Sequence, residues 1–387
     1  MDSHRALALT TALVLCSCTD TSRDRPLCRD APKKTTKALA RASIKSSAAT
    51  ELPAFSFVVL GDTQFHENRC HAGPPELNAF PRAVLSLAPD FVVGVGDLMH
   101  EGRHLDAYHV FTNCLSELLD RVPFLPAIGN HDMDYGHGVI NFRAYLEQQL
   151  FMRNPAVYGE RYTDDFSISY DNSHDGPGPT GKNHDTQYTF KYGNAFFLVM
   201  EQGSRWETNT PVAWVERKLR QATKDPSVVH LFVITHHPLY STYMPEGPDG
   251  DALLPVRVPY EGLFRRHDVT AIFTGHAHIY ERFYVPDDDK PTRQLAHRRL
   301  FTHDGTGIHH LTVGPSGSAF MPGNCAQLWP QRRERSLAFF QARGCGHNMV
   351  QVVVRGRWLD IRTIGLKGKP GRYTTRVWDQ IRVLSTI

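Results

Sequence analysis

Seven side chains able to bind a metal ion or move a proton fall at five points along the chain: Asp62, Asp97, Asn130 with His131, His236, and His276 with His278. Two aspartates, an amide and imidazoles make a mixed oxygen and nitrogen donor set. A carboxylate can bridge two ions about 3.5–4 Å apart while imidazoles complete each shell. An amide oxygen such as that of Asn130 suits a hard or borderline cation. A histidine left over from such a set suits proton transfer, because its charge changes near neutral pH. Any one of these points alone is an ordinary turn. Five in a row form a constellation.

Each point follows a short apolar stretch. Phe55 to Leu60 runs into Gly61-Asp62, Phe91 to Val95 into Gly96-Asp97, and Phe124 to Ile128 into Gly129-Asn130-His131-Asp132. Val228 to Ile234 runs into Thr235-His236-His237-Pro238, and Val269 to Thr274 into Gly275-His276-Ala277-His278. Apolar runs of this length stopped by glycine predict buried strands. Helical spacing lies between them, over Pro81 to Leu87, Asp106 to Leu119 and Val212 to Ala222. Strands alternating with helices predict parallel βαβ units, whose strand ends share one edge where ligands bind. Tyr188 to Phe190 and Ala195 to Met200 predict a hairpin across Tyr192-Gly193-Asn194. A second group of strands is expected at His309 to Val313, Met349 to Val354 and Trp358 to Ile364. The polar stretch 133–185 is expected to be loops around the mouth of the site.

At 387 residues and 41% hydrophobic composition, the chain can bury a full core. Lys plus Arg at 43 nearly balances Asp plus Glu at 40, which excludes a nucleic-acid binder that relies on a strong positive field. The run Ala6 to Leu15 is too short to span a bilayer and suits the core of a signal peptide over residues 1–18. It ends in Leu15-Cys16-Ser17-Cys18, similar to a bacterial lipobox in which Cys18 is lipidated after cleavage. The expectation is an exported protein, either a cell-envelope lipoprotein or secreted, touching a membrane only through that anchor. Residues 19–52 have little apolar content and read as a tether, leaving 53–387 as the catalytic domain. In an exported protein disulfides are the default for the remaining cysteines. Cys325 with Cys345 is the first pairing expected and Cys70 with Cys114 the second, with Cys28 left over.

The five blocks, in this order and approximate spacing, resemble the signature of the calcineurin-like metallophosphoesterases. The flanking segments His278-Ile279-Tyr280-Glu281-Arg282, Tyr188 to Asn194 and His237-Pro238-Leu239-Tyr240-Ser241 are similar to those of purple acid phosphatases. The resemblance covers roughly Phe55 to Gly317. It implies an α/β fold, a four-layer αββα sandwich of two mixed β-sheets flanked by helices, with two divalent or trivalent metal ions (Fe, Mn or Zn) above the strand ends. Carried over by position, one ion takes Asp62, Asp97 and His278. The other takes Asp97, Asn130, His236 and His276, so that Asp97 bridges. His131 is implied as general acid beside the leaving group.

Two positions depart from that pattern. Gln64 stands where many members have a histidine, and His100 stands where purple acid phosphatases have a metal-binding tyrosine. Without the tyrosine there is no iron–phenolate bond, which disfavours ferric iron there, and either His100 or Gln64 is a possible further ligand. The reaction implied is hydrolysis of a small-molecule phosphate monoester by hydroxide that the metals supply. A phosphodiesterase or nucleotidase would use the same residues, and a surface binding lipoprotein with a decayed site is the rival from another class. His66, His71, His104 and His109 are expected to be solvated, His237 to support the ligands from behind or to be structural, and His309 and His310 to be structural. Gly314 to Gly317 is expected to be a plain turn, since no Lys-Ser/Thr follows it.

Overall fold

Short runs of β-branched and aromatic residues build two sheets. The computed structural model describes residues 54–66, 79–134, 137–145, 166–169, 186–201, 210–242, 254–290, 292, 300–303, 307–318, 338–369 and 372–385. The expected signal peptide, tether, Cys28, Cys70, Cys325 and most of the stretch 133–185 lie outside these residues.

In the first sheet, β1 (Ala54–Leu60), β2 (Phe91–Gly94) and β3 (Phe124–Pro126) run parallel. Strand β1 is also antiparallel to a late strand, Asn348–Arg355, and with the two strands after it and the edge strand β10 (Leu300–His303) this sheet has seven strands among the described residues. Among the described residues the second sheet has eight strands. Its centre is β6 (Ala195–Val199), β7 (His230–Ile234), β8 (Ala271–Thr274) and β11 (Gly307–Thr312), all parallel, with β9 (Tyr280–Pro286) antiparallel to β11. The hairpin expected at Gly193 joins β5 (Tyr188–Tyr192) to β6.

Three buried clusters make the layers visible. One lies between the sheets, where Phe57, Phe91, Phe197, Phe232 and Phe273 meet from both sides. A second packs the outer face of the first sheet against helices Phe80–Ser86 and Leu105–Cys114. The third packs the outer face of the second sheet against Val212–Lys224 and Leu254–Arg266. Helix, sheet, sheet, helix is the expected four-layer α/β sandwich. Emptying one of these aromatic positions costs about 3–5 kcal/mol.

Several boundaries differ from the reading of the sequence. The helix expected over 106–119 breaks at Leu115 into Leu105–Cys114 and Ser116–Leu119. The stretch 133–185 is not loop throughout. Val139–Tyr145 is a helix whose Val139, Phe142 and Tyr145 recur about every turn and enter the core, and β4 (Phe166–Ser169) pairs with β5. Cys114 and Cys345, one from each expected pair, are both disulfide-bonded.

Candidate metal centre

Beyond each parallel strand the chain turns sharply, and several turns use a backbone that side chains rarely adopt. Asp62 (φ 53°), Asp97 (φ 54°), His276 (φ 69°) and His278 (φ 49°) all lie in the left-handed region. Such a residue costs of order 1–3 kcal/mol and persists where its surroundings over-determine it. Here they do. Asp62 N–H donates to the Gly96 carbonyl at 3.2 Å, and His276 N–H donates to both Asp62 carboxylate oxygens at 2.9 and 3.0 Å. His131 N–H donates to Asp97 Oδ1 at 2.8 Å. Gly129 is required beside this: a Cβ there would sit 2.3 Å from Asp97 Oδ1 and from Asp97 N.

The result is two converging groups of donor atoms, each within a 4.8 Å span. One holds Asp62, Asp97 and His278. The other holds His236, His237 and His276. Asn130 joins the second, its Oδ1 3.0 Å from His236 Nε2. Asp97 stands between them, its Oδ1 3.3 Å from His236 Nε2. The six side chains picked out as core ligands therefore meet where strand ends of the two sheets adjoin, with His131 beside them. His237, expected to support the ligands or to be structural, also offers a ring nitrogen to this space.

The donor chemistry fits cations. His236 Nδ1 donates to the Val95 carbonyl at 2.8 Å, leaving Nε2 as the free lone pair of the neutral ring. That lone pair faces the Asn130 oxygen, the Asp97 carboxylate and, at 3.2 Å, His276 Nδ1. A lone pair facing two oxygens this closely is stabilised by a cation among them, and a metal-ligating histidine characteristically donates its other N–H to a carbonyl. Protonation of His236 answers the same need. Burial alone would lower its pKa, yet the Asp97 carboxylate prevails and pushes it up to about 9. In turn, although burial would raise Asp97, the His236 charge holds its carboxyl well below the usual range. Burial and the same charge push His276 down to about 3.

Outside these groups, Gln64 donates its amide N–H to Asp97 Oδ2 at 3.2 Å. The ring of His100 lies in neither group. It stacks between His66 and His131, at 4.2 and 5.2 Å between ring centres. His100 is only partly buried, and burial together with His66 lowers its pKa.

Three supports were not picked out from the sequence. Ser318, just past the Gly314–Gly317 turn, donates its N–H to the Asp62 carbonyl at 2.9 Å, and its hydroxyl lies 3.3 Å from His278 Nδ1. Asp132 accepts from Met99 N–H at 2.8 Å and Gly129 N–H at 2.9 Å, tying the second block to the third. Glu281, fully buried in β9, accepts from the Ser241 hydroxyl at 2.8 Å and from Thr242 N–H at 3.1 Å. It thereby fastens the loop that follows His237. Asp132 and Glu281 carried a signal, since each lies inside a segment already singled out, whereas Ser318 did not.

The model of the family described as calcineurin-like phosphoesterase matches residues 55–280. The Fe(3+)-Zn(2+) purple acid phosphatase 12 of Arabidopsis thaliana is 35% identical over 96 residues, 24% of this chain and 20% of that protein. A phosphoenolpyruvate phosphatase of Allium cepa is 25% identical over 274 residues, 65% of this chain and 51% of that one. The chain thus spans about half, or less, of the length of these curated relatives. Among solved structures, a purple acid phosphatase from yellow lupin (Lupinus luteus) seeds superposes with a TM-score of 0.61 at 19% identity, covering 86% of this chain and 54% of that one. PhoD superposes with a TM-score of 0.56 at 12% identity, covering 87% and 70%. At these identities the likeness is one of fold.

Proposed function

The chain belongs to the calcineurin-like phosphoesterase family, and on that premise we propose that it is a dinuclear-metal phosphatase acting on small phosphate monoesters. The observation that carries this reading is the position of Asp97, which belongs to the group with Asp62 and His278 and lies 3.3 Å from His236 in the other. Asp62, Asp97 and His278 would hold one ion; Asp97, Asn130, His236 and His276 would hold the second. Two cations bound there would supply Lewis acidity toward a phosphoryl oxygen and a source of hydroxide near neutral pH. Iron, zinc or manganese suits these donors, and a relative is named for an iron–zinc pair.

The chain's own residues do the rest. His236 is fixed by the Val95 carbonyl so that Nε2 faces the site. His131 donates Nδ1–H to the His100 carbonyl at 2.7 Å, so a general acid here is the imidazolium, which gives up its Nε2 proton and is left as the Nδ1–H tautomer. As the P–O bond to the leaving group breaks, that proton passes from His131 Nε2 to the departing oxygen. A decayed binding lipoprotein would not need to keep six donor side chains in register. The names of the relatives, purple acid phosphatase and phosphoenolpyruvate phosphatase, favour monoesters over diesters.

An exported setting is part of the same reading. The disulfide-bonded Cys114 and Cys345 support an oxidising compartment. Among the described residues no helix is long and apolar enough to cross a membrane. Mass spectrometry of the envelope-purified protein tests the lipid anchor at Cys18: an unmodified Met1 terminus would remove it.

The functional test is hydrolysis of p-nitrophenyl phosphate and its bis-ester by the metal-loaded protein from acid to alkaline pH. Turnover of the monoester alone supports the proposal. Preference for the bis-ester would make the enzyme a phosphodiesterase, and turnover of neither with Mn, Fe, Zn or Co would overturn it.

A further inference from the structure

The ring of His131 is held at its edge and on its face by the same residue. The His100 carbonyl accepts the His131 Nδ1–H at 2.7 Å. The His100 imidazole lies against the His131 ring, 5.2 Å between centres and 26° between planes. His66 backs His100 in turn, at 4.2 Å and 30°. The backbone sets this row. Phe65 N–H donates to the Leu98 carbonyl, and His100 N–H donates to the Phe65 carbonyl, both at 2.8 Å. Residues 66 and 100 are thereby carried side by side past the two aspartate turns.

We propose that His100, backed by His66, is a positioning residue that holds the His131 imidazole in line with the leaving group. The proposal rests on the phosphatase reading for its consequence in catalysis, but not for its geometry. His131 is only partly buried, so one edge bond leaves its ring free to tilt about that bond unless a flat surface supports its face. Misplacement of a reacting group by about 1 Å can cost about 10²-fold. The cost falls where a proton must be delivered. An alkyl phosphate expels a strongly basic alkoxide and depends on His131 Nε2–H, whereas p-nitrophenolate departs as a stable anion. Loosening His131 therefore slows the first ester more than the second.

The test compares His100→Ala with His100→Phe, which keeps a flat ring and the same backbone carbonyl but has no nitrogen to offer a metal. The ratio of kcat/KM for glycerol 2-phosphate to that for p-nitrophenyl phosphate is expected to fall about tenfold or more in His100→Ala. In His100→Phe it is expected to stay within about threefold of the parent, and both variants keep the parent's metal content. In parallel, NMR of the 15N-histidine-labelled, metal-free protein reports the His131 Nδ1 proton, assigned by its loss in His131→Ala. That proton is expected to exchange faster in His100→Ala and to stay protected in His100→Phe. Loss of metal in both variants would make His100 a ligand and overturn the proposal, as would an unchanged ratio or an unchanged Nδ1 proton in His100→Ala. If the parent protein hydrolyses neither ester, the phosphatase reading falls, while the Nδ1 proton still decides whether His100 holds the ring.

Discussion

His236 Nδ1 lies 2.8 Å from the carbonyl oxygen of Val95, the last core residue before the Gly96-Asp97 turn. That bond selects the ring tautomer and turns Nε2 toward Asn130, His276 and Asp97. It also joins the two sheets, because Val95 follows a strand of one and His236 a strand of the other. With the His276 N–H bonds to Asp62, this contact brings residues far apart in sequence into one donor set.

Gly129→Ala tests how tightly that set is built. The added Cβ would meet Asp97 N and Oδ1 at 2.3 Å, and backbone at that distance cannot give way cheaply. We expect Asp97 to be displaced and metal affinity to fall at least tenfold, measured by titration against a competing chelator. Full affinity would mean that Asp97 is not the shared ligand.

His131→Ala should separate chemistry from metal binding. General acid groups contribute about 10²–10⁴-fold. The expected result is a loss of kcat for glycerol 2-phosphate in that range, with metal content unchanged. Equal loss of metal would place His131 among the ligands instead.

The link between β9 and the C-terminal strand Arg372–Ser385 is a buried ion pair. Arg282 donates through Nε to Asp379 Oδ2 at 2.6 Å, and Tyr280 donates to the same oxygen at 2.8 Å. The two partners are 1% and 3% exposed. Removing one partner of such a pair leaves a charge uncompensated and costs about 3–5 kcal/mol. Asp379→Ala should lower the stability read from urea unfolding by that amount, and a change below 1 kcal/mol would show that the pair does not hold the sheets.

How much of this was legible follows from where the charges lie. The strands leading to Asp62, Asp97, Asn130, His236 and His276 are apolar runs with a break, so their positions could be read directly. Strand β9 could not, because Glu281 and Arg282 look like surface residues until Asp379, 97 positions later, is seen to neutralise Arg282. The Leu254–Arg266 helix contains Pro259, which ordinarily argues against a helix interior. Ser318 had no signal at all, since its role depends on a turn packing beneath Asp62. The position of His100 was equally hidden: spacing placed it near the metals but could not turn its ring toward His131.

Acid should destabilise the fold in part through His310. The residue is 4% exposed, and neither ring nitrogen has a hydrogen-bond partner among the described residues. It faces Tyr240, with Glu261, Arg257 and Arg265 from the adjoining helix. Burial pushes its pKa down to about 3, so the unfolded chain binds this proton more readily. Stability is therefore full above about pH 6.5 and declines as pH falls toward 3, by at most about 1.4 kcal/mol per pH unit for one proton. His310→Phe should flatten that decline in urea midpoints between pH 6.5 and 4. An unchanged slope would assign the acid sensitivity elsewhere.

The most direct test of a two-ion site shared through Asp97 is a metal titration of the stripped protein, following p-nitrophenyl phosphate turnover as Mn or Zn is added. Turnover should rise to a plateau at two equivalents per chain and remain at background in Asp97→Asn at the same metal concentrations. A plateau at one equivalent, or turnover in Asp97→Asn equal to that of the parent, would contradict it.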